Sequence, residues 1–160
     1  MKVLKLALAG LLMLCALSPA PAKSVIPDDP GGVIVDFVSK YSDMRDSEEK
    51  IVIDGECVSA CTVLLGLLRP ENICATPNAV LGFHSASLRI VEKDNSIRYE
   101  HAPEMSKLMF GMYPGKVRAL LKRNGWDGAS DVNNAHPAII WIKGKQLRKI
   151  VRPCLAEDLS

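Results

Sequence analysis

The stretch 55–84 constrains this chain more than any other. An apolar β-branched run, Ile51-Val52-Ile53, leads into Asp54-Gly55, and Ser59 follows among small neighbours. An apolar segment over 62–68 comes next, then a second strand pattern over 79–83 that ends at His84. This order predicts a buried strand, a tight turn, and a helix that starts just after the turn. The first N–H groups of a helix have no intrahelical partner, so they can stabilise a developing negative charge. Two parallel strands joined by a helix bring Ser59 and His84 to one edge of the sheet. Each residue alone has an ordinary explanation: a serine before a helix is an N-cap, and a histidine at a strand end is a surface residue. Together on one βαβ unit they are the minimum set for an activated nucleophile.

Residues 1–22 read as an export signal. Lys2 and Lys5 precede an apolar run over 6–17, and Ala20-Pro21-Ala22 forms an A-x-A-like cleavage site. The apolar run is too short to span a bilayer comfortably. Leu12-Met13-Leu14 lacks the small residue a lipoprotein site needs before its cysteine, so Cys15 is expected to leave with the signal. Cleavage leaves 23–160 as a single domain, periplasmic or secreted, with no membrane association. The formal net charge of +2 is shared with the signal, so the remainder is nearly neutral and carries no nucleic-acid footprint.

Elsewhere the periodicity predicts a short strand at 25–26, a loop over 27–32, and a helix over 33–44 with Val33, Phe37, Tyr41 and Met44 on one face. Residues 85–100 read as a β-hairpin around Asp94-Asn95, or as a mobile flap. A helix over 102–112 places Met105, Leu108, Met109 and Met112 on one core-facing stripe. A second helix over 116–124 turns Val117, Leu120 and Leu121 inward and ends at Gly125. A strand over 139–142 and a short basic helix over 144–150 close the chain. The class is α/β, with a small, mainly parallel sheet.

Cys57, Cys61, Cys74 and Cys154 remain after signal removal. An even count in an exported chain favours disulfides, and sequence leaves all three pairings open. Cys57 and Cys61 flank Ser59, and Cys74 lies on the following strand, so one bridge can brace the serine turn. Cys154 can then tie the C-terminal tail to the core. The Cys57-x3-Cys61 spacing also suggests a metal, but no histidines stand at ligand spacing, so no metal is expected. Export to an oxidising compartment argues against either cysteine as a thiol nucleophile.

Three pieces of the chain resemble the Clp-protease-like/crotonase superfamily. Asp29-Pro30-Gly31-Gly32-Val33 is similar to that family's S-P-G-G-V loop, and Cys57-Val58-Ser59-Ala60-Cys61 to its nucleophile turn, A-A-S-M-G. Thr76-Pro77-Asn78-Ala79 followed by Phe83-His84 is similar to its L-P-N-(S/A) strand and catalytic histidine. The interval from Ser59 to His84 is also similar to the family's. The chain looks closer still to a group of short exported Clp-like proteins of alphaproteobacteria.

The resemblance implies repeated ββα/βα units of ClpP/crotonase type, with Ser59 as nucleophile and His84 as base. It implies an oxyanion site between the main-chain N–H groups of Gly32 and Ala60. The family's acidic third residue falls near Asp131, with Asp127 as runner-up; both lie in a polar, turn-rich segment. His136 is the rival base, although its position before Pro137 favours a structural role. The implied function is an exported serine hydrolase of peptidase type, acting on a peptide or protein without a cofactor. The alternative is a non-catalytic binding or assembly module that keeps the fold. Acyl-thioester chemistry of crotonase type is a thinner option, because coenzyme A is not expected outside the cytoplasm. Most of the family's N-terminal strands are missing here, which leaves a sheet edge that a second copy could cover in a homo-oligomer.

Overall fold

The computed structural model describes residues 22–129 and 139–160. The expected signal segment up to Pro21, with Cys15, lies outside the described residues, as do Asp131 and His136. In chain order the elements begin with β1 (Lys23–Ile26), α1 (Ile34–Asp46), β2 (Lys50–Ile53) and β3 (Glu56–Val58). A 3₁₀ turn (Ser59–Val63) runs into α2 (Leu64–Leu67), and β4 (Ile73–Ala75) and β5 (Val80–Phe83) follow. Then come β6 (Ser87–Val91), β7 (Ile97–His101), α3 (Pro103–Met112) and α4 (Gly115–Arg123). The chain ends with β8 (Ile140–Lys143), α5 (Gly144–Leu147), β9 (Arg152–Pro153) and α6 (Ala156–Leu159).

The fold is α/β, and its largest sheet is parallel throughout, in the order β1-β2-β4-β9. Ile51, Val52 and Ile53 of β2 are all buried, as an apolar run without alternation requires when both faces of a strand are covered. Ile51 and Ile53 join the core with Tyr41 of α1. Val52 points to the opposite face, where α6 packs on β2.

The serine turn does not follow β2 directly, as the sequence reading expected. After Ile53 the chain leaves the first sheet through Asp54-Gly55 and forms β3 in a second sheet, ordered β3-β5-β8. Gly55 permits the crossing: a Cβ there would lie 1.2 Å from the Pro27 carbonyl oxygen. A strand of three residues that opens on the exposed Glu56 has too little periodicity to stand out in sequence. β3 and β5 are parallel, and β8 adds antiparallel to β5.

The hairpin expected around Asp94-Asn95 forms as β6 and β7, with Asn95 in the left-handed region at its tip. On α3 the buried stripe is rotated from the expected one. Ser106, Met109 and Phe110 face inward, while Met105 and Leu108 are exposed. The Ser106 hydroxyl can be buried because it accepts the Ala86 N–H at 2.8 Å and donates to the Ala102 carbonyl at 3.0 Å. On α4 Val117, Leu120 and Leu121 are buried as expected, and the Gly125 N–H donates to the Lys122 carbonyl. The helix expected over 144–150 to close the chain is α5, which stops at Leu147, and β9 and α6 follow it.

The four cysteines form two disulfides, Cys57–Cys61 and Cys74–Cys154. The second joins β4 to the residue after β9. Two residues before Cys154, Arg152 donates to both carboxylate oxygens of Asp158, at 2.6 and 2.7 Å, and the Leu155 N–H adds a third bond at 2.7 Å. These donors favour the charged form, with Arg152 the largest cause, and hold the Asp158 carboxyl well below the usual carboxylate range. Because the folded-state pKa is the lower one, this contribution is complete above the unfolded-state value of about 4 and is lost as pH falls below it. Thermal melts of wild type between pH 6 and pH 2 should therefore lose stability more steeply than melts of Asp158→Asn. Parallel acid limbs for the two proteins would contradict this.

Candidate functional site

β3 and β5 pair with Val58 opposite Gly82. Ser59 is the first residue past β3 and His84 the first past β5. Adjacent strands run about 4.8 Å apart, so the two chains leave the sheet side by side. The sequence reading expected this juxtaposition on a strand pair that included β2. The structure builds it from β3 and β5 instead.

Ser59 has φ +56°. For a residue with a side chain, this left-handed conformation costs about 1–2 kcal/mol. Among the described residues the other non-glycine cases are Glu48, in the turn after α1, and Asn95, at the hairpin tip. At Ser59 the surroundings impose the conformation. The Thr62 hydroxyl donates to the Ser59 carbonyl at 2.6 Å, and Thr62 Oγ1 lies 2.6 Å from the Tyr113 hydroxyl oxygen. Since the Thr62 proton goes to the carbonyl, Tyr113 is the donor to Thr62. Burial pushes the Tyr113 pKa far up, so the phenol keeps its proton. The Tyr113 ring also meets Phe83 edge-on, with centroids 5.3 Å apart. One buried side chain thus touches both the serine turn and the residue before His84. The Cys57–Cys61 bridge spans the turn itself, and the Tyr41 hydroxyl donates to Cys61 Sγ at 3.6 Å. Burial, then the negative charge of Asp29, raises the Tyr41 pKa as well.

The glycine loop lies against this turn. Asp29 runs parallel beside Cys57, its N–H donating to the Glu56 carbonyl at 2.7 Å and its carbonyl accepting the Val58 N–H at 2.9 Å. The Asp29 carboxylate accepts the Gly31 N–H at 2.9 Å, closing an Asx turn. Gly31 has φ +83°, and a Cβ there would lie 2.5 Å from the Val58 carbonyl oxygen, 2.8 Å from Ser59 Cβ and 3.0 Å from the Ala60 nitrogen. Any side chain at position 31 would therefore press on Ser59 and cover the Ala60 N–H. Among the described residues neither the Gly32 nor the Ala60 main-chain N–H has an acceptor. Both remain available to an oxyanion.

His84 is half-buried, with Nδ1 2.7 Å from the Ser85 carbonyl oxygen. A carbonyl only accepts, so Nδ1 carries the proton, and Nε2 of the neutral ring keeps its lone pair. Among the described residues no hydrogen bond joins Ser59 to His84. Asp127 is exposed and accepts the Ala129 N–H at 2.9 Å within its own turn. With Cys57 and Cys61 joined to each other, neither sulfur is a free thiolate for a metal or for attack.

The sequence placed Asp29 and Gly31 in the loop motif without a role of their own, and it pointed to neither Thr62 nor Tyr113 as part of this site. Asp29-x-Gly31 is an Asx-turn spacing, and Thr62 stands three residues after Ser59, so both carried a local signal. Tyr113 is 51 positions from Thr62 and carried none.

Fold and site together define an α/β protein whose parallel strand ends present a left-handed serine turn beside a glycine loop. No family model matches the chain, and no curated protein matches it. Among solved structures the chain is similar to a ClpP1 mutant from Listeria monocytogenes, with a TM-score of 0.48 and 16% sequence identity, covering 88% of this chain and 79% of that one.

Gly31→Ala should displace the loop from Ser59 and destabilise the protein by about 1–3 kcal/mol. Urea denaturation measures the loss, and unchanged stability would mean that the loop has room the geometry denies it.

Proposed function

We propose that this protein is an exported serine hydrolase of peptidase type. The observation that carries the reading is the left-handed turn at Ser59, a half-buried serine flanked by the unpaired N–H groups of Gly32 and Ala60. Left-handed geometry at a residue with a side chain marks a position that its surroundings over-determine, and such positions cluster at active sites. The resemblance of the loop, turn and histidine motifs to the Clp-protease-like superfamily supports the same assignment. The signal-like residues 1–22 and the two disulfides support export, since disulfides persist in oxidising compartments.

In this mechanism Ser59 Oγ attacks the carbonyl carbon of a peptide or ester, and His84 Nε2 takes the hydroxyl proton. The carbonyl oxygen gains charge between the Gly32 and Ala60 N–H groups, donors whose removal in such sites costs about 10²–10³ in rate. His84 then passes its proton to the leaving group, an acyl-enzyme remains on Ser59, and water attacks it by the reverse route. The Ser85 carbonyl holds the Nδ1 proton, which keeps Nε2 in the basic tautomer with or without a carboxylate from Asp131.

A binding module that keeps the fold is the second reading, favoured by the lack of a Ser59–His84 hydrogen bond among the described residues. A fluorophosphonate probe separates the two. Folded wild type should be labelled at Ser59, Ser59→Ala should not, and His84→Ala should be labelled about 10²–10⁴ times more slowly. An unlabelled wild type, or equal labelling of Ser59→Ala, would overturn the hydrolase.

A further inference from the structure

Cys57 and Cys61 enclose only Val58, Ser59 and Ala60, and their bridge closes these residues into a small ring. The two anchors belong to different elements. Cys57 is fixed in β3 opposite Leu81, and Cys61 sits in the 3₁₀ turn; both are fully buried. Ser59 stands at the centre of the ring with φ +56°, a conformation that an unconstrained serine leaves for the ordinary extended or helical regions. Cys74–Cys154 is a different device: it joins residues 80 positions apart and leaves the Ser59 turn outside its loop.

We infer that the Cys57–Cys61 disulfide is a positioning device for the Ser59 hydroxyl. A ring this small removes the alternative main-chain paths between its anchors. It keeps Ser59 in the one turn that sets Oγ beside the glycine loop and leaves the Ala60 N–H facing that loop. Cys57 and Cys61 act through the main chain and touch no substrate. The inference rests on reading Ser59 as the nucleophile.

The test compares wild type, C57A/C61A and C74A/C154A, all as full folded chains. Fluorophosphonate labelling at Ser59 gives the reactivity, and deuterium uptake of the peptide covering 58–62 reports the turn directly. C57A/C61A should label about tenfold more slowly, equivalent to about 1.4 kcal/mol. Its uptake should rise at 58–62 and stay unchanged across β1 and α1. C74A/C154A should melt at a lower temperature yet label at the wild-type rate below its transition. If C57A/C61A does not fold, C74A/C154A treated with a dithiol provides the same comparison, since only the Cys57–Cys61 bridge is then left to open, and reoxidation should restore the rate. Unchanged labelling and uptake after the bridge is opened would overturn the inference. If wild type is not labelled, the nucleophile reading falls, and uptake at 58–62 alone decides whether the bridge fixes the turn.

Discussion

The arrangement at this sheet edge depends on one main-chain torsion, the positive φ of Ser59. A left-handed serine is unfavourable locally, so everything around it has to favour it more. Thr62, itself held by Tyr113, bonds its carbonyl from inside the core, the disulfide closes the chain around it, and Gly31 leaves room for it. These contacts come from four separate elements, and each is satisfied only when the others are in place.

The same contacts link the turn to the rest of the fold. Tyr113 lies just past the end of α3, where Pro114 breaks the chain before α4, and its ring reaches Phe83 on β5. Asp29 stitches the loop after β1 onto β3 with a pair of main-chain hydrogen bonds. The two sheets are therefore joined through residues next to Ser59. The first sheet supplies the glycine loop, and the second supplies the serine and the histidine.

Much of this could be read from the chain in advance, and what could not has a physical cause. The apolar run 51–53, the amphipathic helices and the hairpin have strong periodicity, and each appears close to its expected place. β3 stayed hidden because three residues carry no pattern, so the serine turn was assigned to the wrong strand. The α3 stripe was misread because a serine took an inward position that hydropathy gives to methionine, its hydroxyl being satisfied by Ala86 and Ala102. At the site, Ser59, His84 and the cysteines stood out by spacing and residue type, and Gly32 through the resemblance of its loop to the Clp-protease-like family. Tyr113 did not, since its role depends on a contact that exists only after folding. The disulfide pairing was equally beyond sequence, because it follows from which strands become neighbours.

The order of strands in the parallel sheet has a consequence for how the molecule comes into being. Its fourth strand, β9, docks beside β4, and Cys154 just after it meets Cys74 across 80 positions of chain. Contacts so distant along the polypeptide close slowly, because a long loop must be ordered before any pairing rewards it. A chain in which residues 152–154 have not yet reached β4 therefore lacks one edge of its main sheet, and that edge is the last part of the sheet to close.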